Sequence, residues 1–86
     1  MYVILTYDVQ KKRVVKVLKI CKKYLHHIQR SVFEGNITGT KLDNLKKELA
    51  ENILPQFDSV IIYHFDSVKY AKKEQLGLVQ STSNII

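Results

Sequence analysis

Residues 2–8 are rich in β-branched and aromatic side chains, and their two faces differ in polarity, which predicts a β-strand. One face carries Val3, Leu5 and Tyr7, and the other carries Tyr2, Ile4, Thr6 and Asp8, becoming polar toward its end. Such a strand suits a sheet that is covered by helices on one side and open to solvent or a partner on the other. Its last residue, Asp8, is either a turn or helix N-cap residue or a rigidly held ligand for a metal ion.

Residues 10–25 repeat apolar side chains at spacings of three and four, which predicts an amphipathic helix. The apolar stripe comprises Val14, Val17, Leu18, Cys21, Tyr24 and Leu25. Because Cys21 is the one cysteine and lies on this stripe, we expect a buried, unreactive thiol. The opposite side consists of Lys11, Lys12, Lys16, Lys19, Lys22 and Lys23, with Arg13 at its edge.

This basic side holds seven of the 14 lysine and arginine residues, and the segment contains no acid. A solvated helix face is one interpretation, although such faces usually mix charge signs. Contact with the phosphates of a polyanion is the other. The formal net charge of +6 and the pI of about 9.5 favour a polyanionic partner, with nucleic acid ahead of an anionic membrane surface.

Residues 26–35 are extended in character, as one bent strand or as two short strands with a tight turn near Arg30. Gly35, Gly39 and the residues between them predict a loop. His26 and His27 are adjacent and would face opposite sides of a strand, so they cannot readily bind one metal ion together. For these histidines and His64 we expect surface or packing roles.

A second helix is predicted from a capping box at residues 40–43, which begins with Thr40. It continues to about Ile53 and ends before Pro55, with Leu42, Leu45, Leu49 and Ile53 as its buried stripe. Residues 58–65 predict the last clear strand. The remaining residues, 66–86, are polar apart from a short apolar piece at 76–79 that could be an edge strand.

The order of elements predicts an α+β fold, a ferredoxin-like βαββαβ sandwich if the extended region is two strands. A chain of 86 residues forms one small domain, residues 1–86, and such domains often gain stability as homodimers. The single cysteine, and the lack of a leader or membrane-spanning run, predict a cytoplasmic protein. No phosphate-binding glycine loop or zinc-ligand spacing is present.

Several stretches together resemble the CRISPR-associated Cas2 family. Residues 2–9, Tyr-Val-Ile-Leu-Thr-Tyr-Asp-Val, are similar to its opening strand, and residues 58–60 to the start of its later strand. Residues 28–35, Ile-Gln-Arg-Ser-Val-Phe-Glu-Gly, match its Val/Ile-Gln-x-Ser-Val-Phe-Glu-Gly signature, the most specific part of the resemblance. The end of the chain, Leu76-Gly77 followed by residues 82–86, resembles the variant found with type I-B systems.

This resemblance implies a homodimer in which the tail, residues 66–86, crosses to the other protomer as an exchanged edge strand. It implies a role in CRISPR spacer acquisition, in which the dimer holds duplex DNA between integrase subunits, with no membrane partner. For some members it also implies a metal-dependent endonuclease that cuts single-stranded RNA or double-stranded DNA. In those members the acid that matches Asp8 meets its counterpart from the other protomer and holds a divalent metal ion, Mg²⁺ or Mn²⁺.

The resemblance also assigns expected roles near this acid. Tyr7 and Ser31 would orient water or phosphate, and Phe33 would form the wall of the site. The expected nucleic-acid-binding residues are Lys11, Lys12, Arg13, Lys16, Lys19 and Arg30. His27 stands where many relatives carry arginine, which removes a permanent charge from the neighbourhood of the site.

Three hypotheses follow. The first is a DNA-binding scaffold, which needs the basic helix but no chemistry at Asp8. The second is an Mg²⁺-dependent phosphodiesterase with Asp8 as the metal ligand. The third is a non-catalytic, ferredoxin-like regulatory module without a nucleic-acid substrate, and the uniformly basic first helix argues against it.

Overall fold

The computed structural model describes residues 1–65 and Glu74. It contains four strands and two helices in an α+β arrangement. In chain order these are β1 (Tyr2–Asp8), α1 (Lys11–Lys22), β2 (His26–Gln29), β3 (Val32–Asn36), α2 (Gly39–Ala50) and β4 (Ser59–Phe65). The predicted edge strand at 76–79 and the rest of the tail lie outside the described residues.

The four strands form one sheet in the order β2-β3-β1-β4, with every neighbouring pair antiparallel. The sequential neighbours β1 and β2 are separated by β3, and β3 and β4 are separated by β1. Each helix therefore makes a crossover between two strands that do not touch, which is the split βαβ connection of a ferredoxin-like sandwich. The predicted fold class is confirmed.

Alternation along β1 divides the sheet into two faces, as predicted. Val3, Leu5 and Tyr7 are buried in the core under the helices. The residues between them are half-buried, and Asp8 at the strand end is exposed. On this open face Thr6 lies beside Ile61, and Tyr63 lies beside Ile4. Ile61 and Tyr63 are 49% and 52% exposed, so apolar surface remains uncovered by the described residues.

The apolar stripe of α1 packs into the core, with Val17, Leu18 and Cys21 all but fully buried. Ile20, which was not assigned to the stripe, is buried as well. The helix ends at Lys22, earlier than predicted, although Leu25 N–H still donates to the Cys21 carbonyl at 2.9 Å. The chain then enters β2 directly.

Residues 26–36 form two strands joined by a tight turn, which decides between the two predicted alternatives. The turn contains Arg30, whose φ of +32° is left-handed. The predicted loop between Gly35 and Gly39 is wrong at both ends, because β3 continues to Asn36 and α2 begins at Gly39. Pairing of Asn36 with Tyr2 extends the strand and leaves only two linking residues.

The predicted capping box at Thr40 is also wrong. The N-cap of α2 is Thr38, whose hydroxyl accepts the Lys41 N–H at 3.2 Å. Because β3 ends at Asn36, the N-cap lies two residues before the predicted one. The helix ends at Ala50, short of Ile53, but its predicted stripe of Leu42, Leu45 and Leu49 is buried.

Each helix has 12 residues, and no helix in the described part of the chain is long and apolar enough to cross a membrane.

Candidate functional site

A groove of about 580 Å³ lies at the end of β1, where three structural elements meet. These are the end of β1, the turn between β2 and β3, and the first turns of α1. The lining residues are Tyr7, Asp8, Val9, Lys11, Val14, Val15, Arg30 and Ser31. The structure thus brings together Asp8, Tyr7, Ser31, Lys11 and Arg30 from the predicted site. The valines give the groove an apolar floor, and the charged residues lie around it.

The backbone of Asp8 is fixed because β1 is a central strand of the sheet, whereas its carboxylate has no partner within residues 1–65. Its backbone pairs with Ser59 of β4, and on the other side of β1 the Tyr7 N–H donates to the Ser31 carbonyl at 3.1 Å. The side chain is exposed, and within residues 1–65 it makes no hydrogen bond or ion pair. The N-cap of α1 is Gln10. The interpretation of Asp8 as a helix cap is therefore wrong.

The side chains around Asp8 determine how well the groove suits a divalent metal ion. A free carboxylate on a rigid strand supplies the oxygen ligands that Mg²⁺ prefers. However, residues 1–65 and Glu74 contain no group of three or more His, Cys, Asp or Glu side chains placed to hold an ion. Among the described residues that line the groove, Asp8 is the one acid, so they offer an ion a single protein carboxylate.

Tyr7 lines the groove beside Asp8, whereas Phe33 lies in the core and is not among the lining residues. Phe33 is fully buried and stacks on Tyr7 and on His27, with ring centroids 6.1 Å and 4.6 Å away. Burial, with a smaller contribution from Cys21, raises the pKa of Tyr7 to about 12. The phenol therefore stays protonated near neutral pH, where it can donate a hydrogen bond but cannot act as a base.

The β2–β3 turn is fixed by His27. The His27 Nε2 atom lies 2.6 Å from the Arg30 carbonyl oxygen and donates a hydrogen bond to it, because a carbonyl can only accept. The other ring nitrogen, Nδ1, is buried, and no described residue bonds to it. The turn places the exposed Arg30 and the half-buried Ser31 beside Asp8.

The predicted nucleic-acid-binding residues of α1 fall into three groups. Lys12, Lys16 and Lys19 are exposed along the outward side of the helix. Lys11 lines the groove, nearer Asp8. Arg13 instead turns inward and pairs with Asp58, Nε to Oδ2 at 2.5 Å and Nη2 to Oδ1 at 2.9 Å.

Sequence reasoning missed this role of Asp58, which it treated only as the start of a strand. The Asp58 carboxylate also accepts the backbone N–H groups of Gln10 and Leu54, each at 2.9 Å. Hydrogen bonds from Arg13, followed by those backbone groups, hold the pKa of Asp58 well below its usual range. The sequence held one signal for this contact. Asp58 immediately precedes a strand, and Arg13 lies in the first turn of a helix that a ferredoxin-like fold brings near it.

Comparisons with known proteins agree on one family. The family described as "CRISPR associated protein Cas2" matches residues 1–73. A relative from Dictyoglomus turgidum, named CRISPR-associated endoribonuclease Cas2, is 46% identical over 91% of this chain and 90% of its own. One of the same name from Thermotoga maritima is 44% identical over 100% and 99%.

Solved structures agree. One described as the crystal structure of cas2 superposes with a TM-score of 0.84 at 38% identity, covering 100% of this chain and 97% of its own. Streptococcus pyogenes Cas2 at pH 6.5 superposes with a TM-score of 0.79 at 32% identity, covering 90% and 100%.

Proposed function

Because the chain belongs to the CRISPR-associated Cas2 family, we propose that it acts in spacer acquisition as a basic homodimer that binds duplex DNA between integrase subunits. The observation that carries the proposal is the exposed, single-sign surface of α1. Lys12, Lys16 and Lys19 follow one side of the helix at spacings of four and three, and the helix has no acid. A row of cations at this spacing suits the regular phosphates of a duplex.

The open sheet face supports the homodimer. Ile61 and Tyr63 are exposed there beside Thr6 and Ile4, and a second copy would remove this apolar surface from water. Asp8 follows Thr6 by two residues and therefore shares this face. Pairing two open faces would bring both copies of Asp8 to one interface, where the exchanged tails predicted for residues 66–86 would also lie.

Charge reversal on α1 tests duplex binding. Lys12, Lys16 and Lys19 would be changed together to Glu, and the matched control would carry Lys41→Glu, Lys46→Glu and Lys47→Glu on α2, all exposed positions. We expect the α1 variant to lose duplex binding, because lysines that neutralise phosphates supply affinity by releasing counterions. Each lost phosphate contact should also reduce the steepness of log affinity against log salt by about 0.9.

The control variant has the same net charge, so it should bind duplex nearly as the wild-type protein does. Duplex affinity would be measured by fluorescence anisotropy between about 50 and 200 mM salt, the range over which phosphate contacts weaken binding steeply. Equal loss in both variants would show that net charge alone drives binding. Retained duplex binding in the α1 variant would place the DNA interface elsewhere, and no duplex binding by the wild-type protein would favour a regulatory module without a nucleic-acid substrate.

A specific observation favours a second activity, a metal-dependent phosphodiesterase. Asp8 offers a free carboxylate in a groove that Lys11 and Arg30 also line, and the curated relatives are named endoribonucleases. When bound, Mg²⁺ or Mn²⁺ would polarise a phosphate and activate water. Asp8 from each protomer would hold the ion, and the positive charge of the ion would offset the repulsion between the two carboxylates.

The remaining residues of the groove would position the substrate. Lys11 and Arg30 would bind phosphates on either side of the cleaved bond. The protonated Tyr7 and the Ser31 hydroxyl would donate hydrogen bonds that orient water or phosphate, and the buried Phe33 would hold Tyr7 in place. Both single-stranded RNA and double-stranded DNA contain the phosphodiester bond that this site would cleave.

A further inference from the structure

Arg13 and Asp58 form an ion pair that joins the start of α1 to the segment before β4. The Asp58 side chain is fully buried, and the Arg13 side chain is 15% exposed. Two guanidinium nitrogens, Nε and Nη2, bind the two carboxylate oxygens in the bidentate geometry typical of Arg–carboxylate pairs. The Arg13 Nη2 atom also donates to the Gln10 Oε1 atom at 2.9 Å. Little of this guanidinium is left to meet a phosphate.

Asp58 also completes the first turn of α1. The N-cap residue Gln10 makes no side-chain cap, and the first turn contains no acid but begins with Lys11, Lys12 and Arg13. Cations are unfavourable at this end of a helix dipole. Asp58 supplies the missing acceptor and negative charge from 48 residues away, by accepting the Gln10 N–H at 2.9 Å.

The same contacts fix the backbone that follows Asp8 in the chain and the backbone that lies across the sheet from it. Gln10 follows Asp8 by two residues, and Asp58 directly precedes Ser59, the residue that pairs with Asp8 across the sheet. The Leu54 N–H, which donates to Asp58 at 2.9 Å, adds the preceding loop. Releasing Asp58 would therefore free the β1–α1 junction at the point where β1 ends.

We propose that Asp58 and Arg13 are positioning residues for Asp8, and that Arg13 does not contact nucleic acid. The inference rests on the proposed metal-dependent activity for its catalytic part. The two side chains hold the junction at Val9 and Gln10, so that the Asp8 carboxylate faces the groove at a fixed position. A small displacement of a catalytic group is enough to slow a reaction substantially.

The test compares Asp58→Asn, Arg13→Gln and the double variant with the wild-type protein. We expect each variant to lower kcat for RNA cleavage by about 10- to 100-fold, as the loss of residues that support a metal ligand usually does. KM for RNA should change little. The double variant should be no worse than the poorer single one, because both residues act through one network.

Glu48→Gln is the matched control, since it removes an ion pair between α2 and Lys23, the C-cap residue of α1, away from Asp8. It should leave kcat unchanged. A similar fall in kcat in the control would show that any loss of a helix contact slows cleavage, and would overturn the positioning role.

Two further measurements do not depend on cleavage. Arg13→Gln should leave the salt slope of duplex binding unchanged, whereas loss of a phosphate contact would lower it by about 1. In wild-type protein the amides of Gln10 and Leu54 should be protected from hydrogen exchange, and Asp58→Asn should speed their exchange by at least about 10-fold.

These outcomes separate the inference from the activity on which it rests. If wild-type protein and Asp8→Asn cleave equally, the proposed activity fails, while the slope and the exchange rates still decide the positioning role. If Asp58→Asn does not fold, Arg13→Gln, which keeps the buried carboxylate, takes its place in the exchange measurement. A lower slope in Arg13→Gln, or unprotected wild-type amides, would overturn the inference.

Discussion

Two aspartates lie close together across the β1–β4 pair and have opposite environments. The Asp8 side chain is exposed and makes no hydrogen bond or ion pair with a described residue. Asp58, next to its strand partner Ser59, is buried and accepts hydrogen bonds from Arg13, Gln10 and Leu54. The buried acid is saturated and structural, whereas the exposed one retains all its capacity to bind a ligand. The chemistry proposed for the groove therefore depends on Asp8.

At this scale we predict that Mn²⁺ binding depends on Asp8. Asp8→Asn keeps the shape of the side chain and removes its charge. It should weaken Mn²⁺ binding by more than about 10-fold, since a direct ligand contributes at least as much as the residues that support one. Electron paramagnetic resonance of free Mn²⁺ measures the change. Asp43→Asn, at an exposed acid on α2, is the control and should bind as the wild-type protein does.

The wild-type protein should bind one ion for every pair of chains, because Asp8 is the one acid among the described residues that line the groove. Equal Mn²⁺ affinity in the wild-type protein and Asp8→Asn would contradict the assignment of Asp8 as a ligand.

At the scale of elements, the ends of helices are set by the sheet as much as by local sequence. β3 runs to Asn36 because that residue pairs with Tyr2. The Met1 amino group and the Ile37 carbonyl, 3.0 Å apart, extend the contact by one residue. Only Ile37 and Thr38 then remain before α2 begins at Gly39. Thr38 is therefore the cap, and Thr40 lies within the helix.

This difference predicts opposite effects for two similar substitutions. Thr38→Ala removes the hydroxyl that accepts the Lys41 N–H, and should lower the free energy of unfolding by about 1 kcal/mol. Thr40→Ala, at an exposed helical position, should leave it unchanged or raise it by about 0.5 kcal/mol, because alanine favours the helix. Urea denaturation measures both. A larger loss in Thr40→Ala than in Thr38→Ala would contradict the cap.

The dependence of helix ends on strand pairing explains which features could be predicted from the sequence. The faces of β1, α1 and α2 depend on periodicity within each segment, so the buried residues Leu5, Val17 and Leu45 were expected. The start of α2 depends on pairing between distant strands, and periodicity carries no information about it. In the site, Asp8, Arg30 and Ser31 lie in motifs that a sequence comparison can recognise. The Arg13–Asp58 contact joins residues 45 apart and became visible only in the fold.

At the scale of the whole molecule, binding and cleavage are proposed for different surfaces of one chain. The outward lysines of α1 are proposed to bind duplex DNA, and the groove around Asp8 is proposed to cut a phosphodiester. Of the basic residues of α1, Lys11 is the one that lines the groove. The two activities should therefore be separable by substitution.

The most direct measurement is the cleavage of labelled duplex DNA and of labelled single-stranded RNA. Purified wild-type protein and Asp8→Asn are compared, each with Mg²⁺, Mn²⁺ or EDTA. Salt-dependent duplex binding is measured in the same samples. The account predicts metal-dependent cleavage by the wild-type protein, none by Asp8→Asn or in EDTA, and equal duplex binding by both proteins. Equal cleavage by both proteins, or loss of duplex binding in Asp8→Asn, would contradict it.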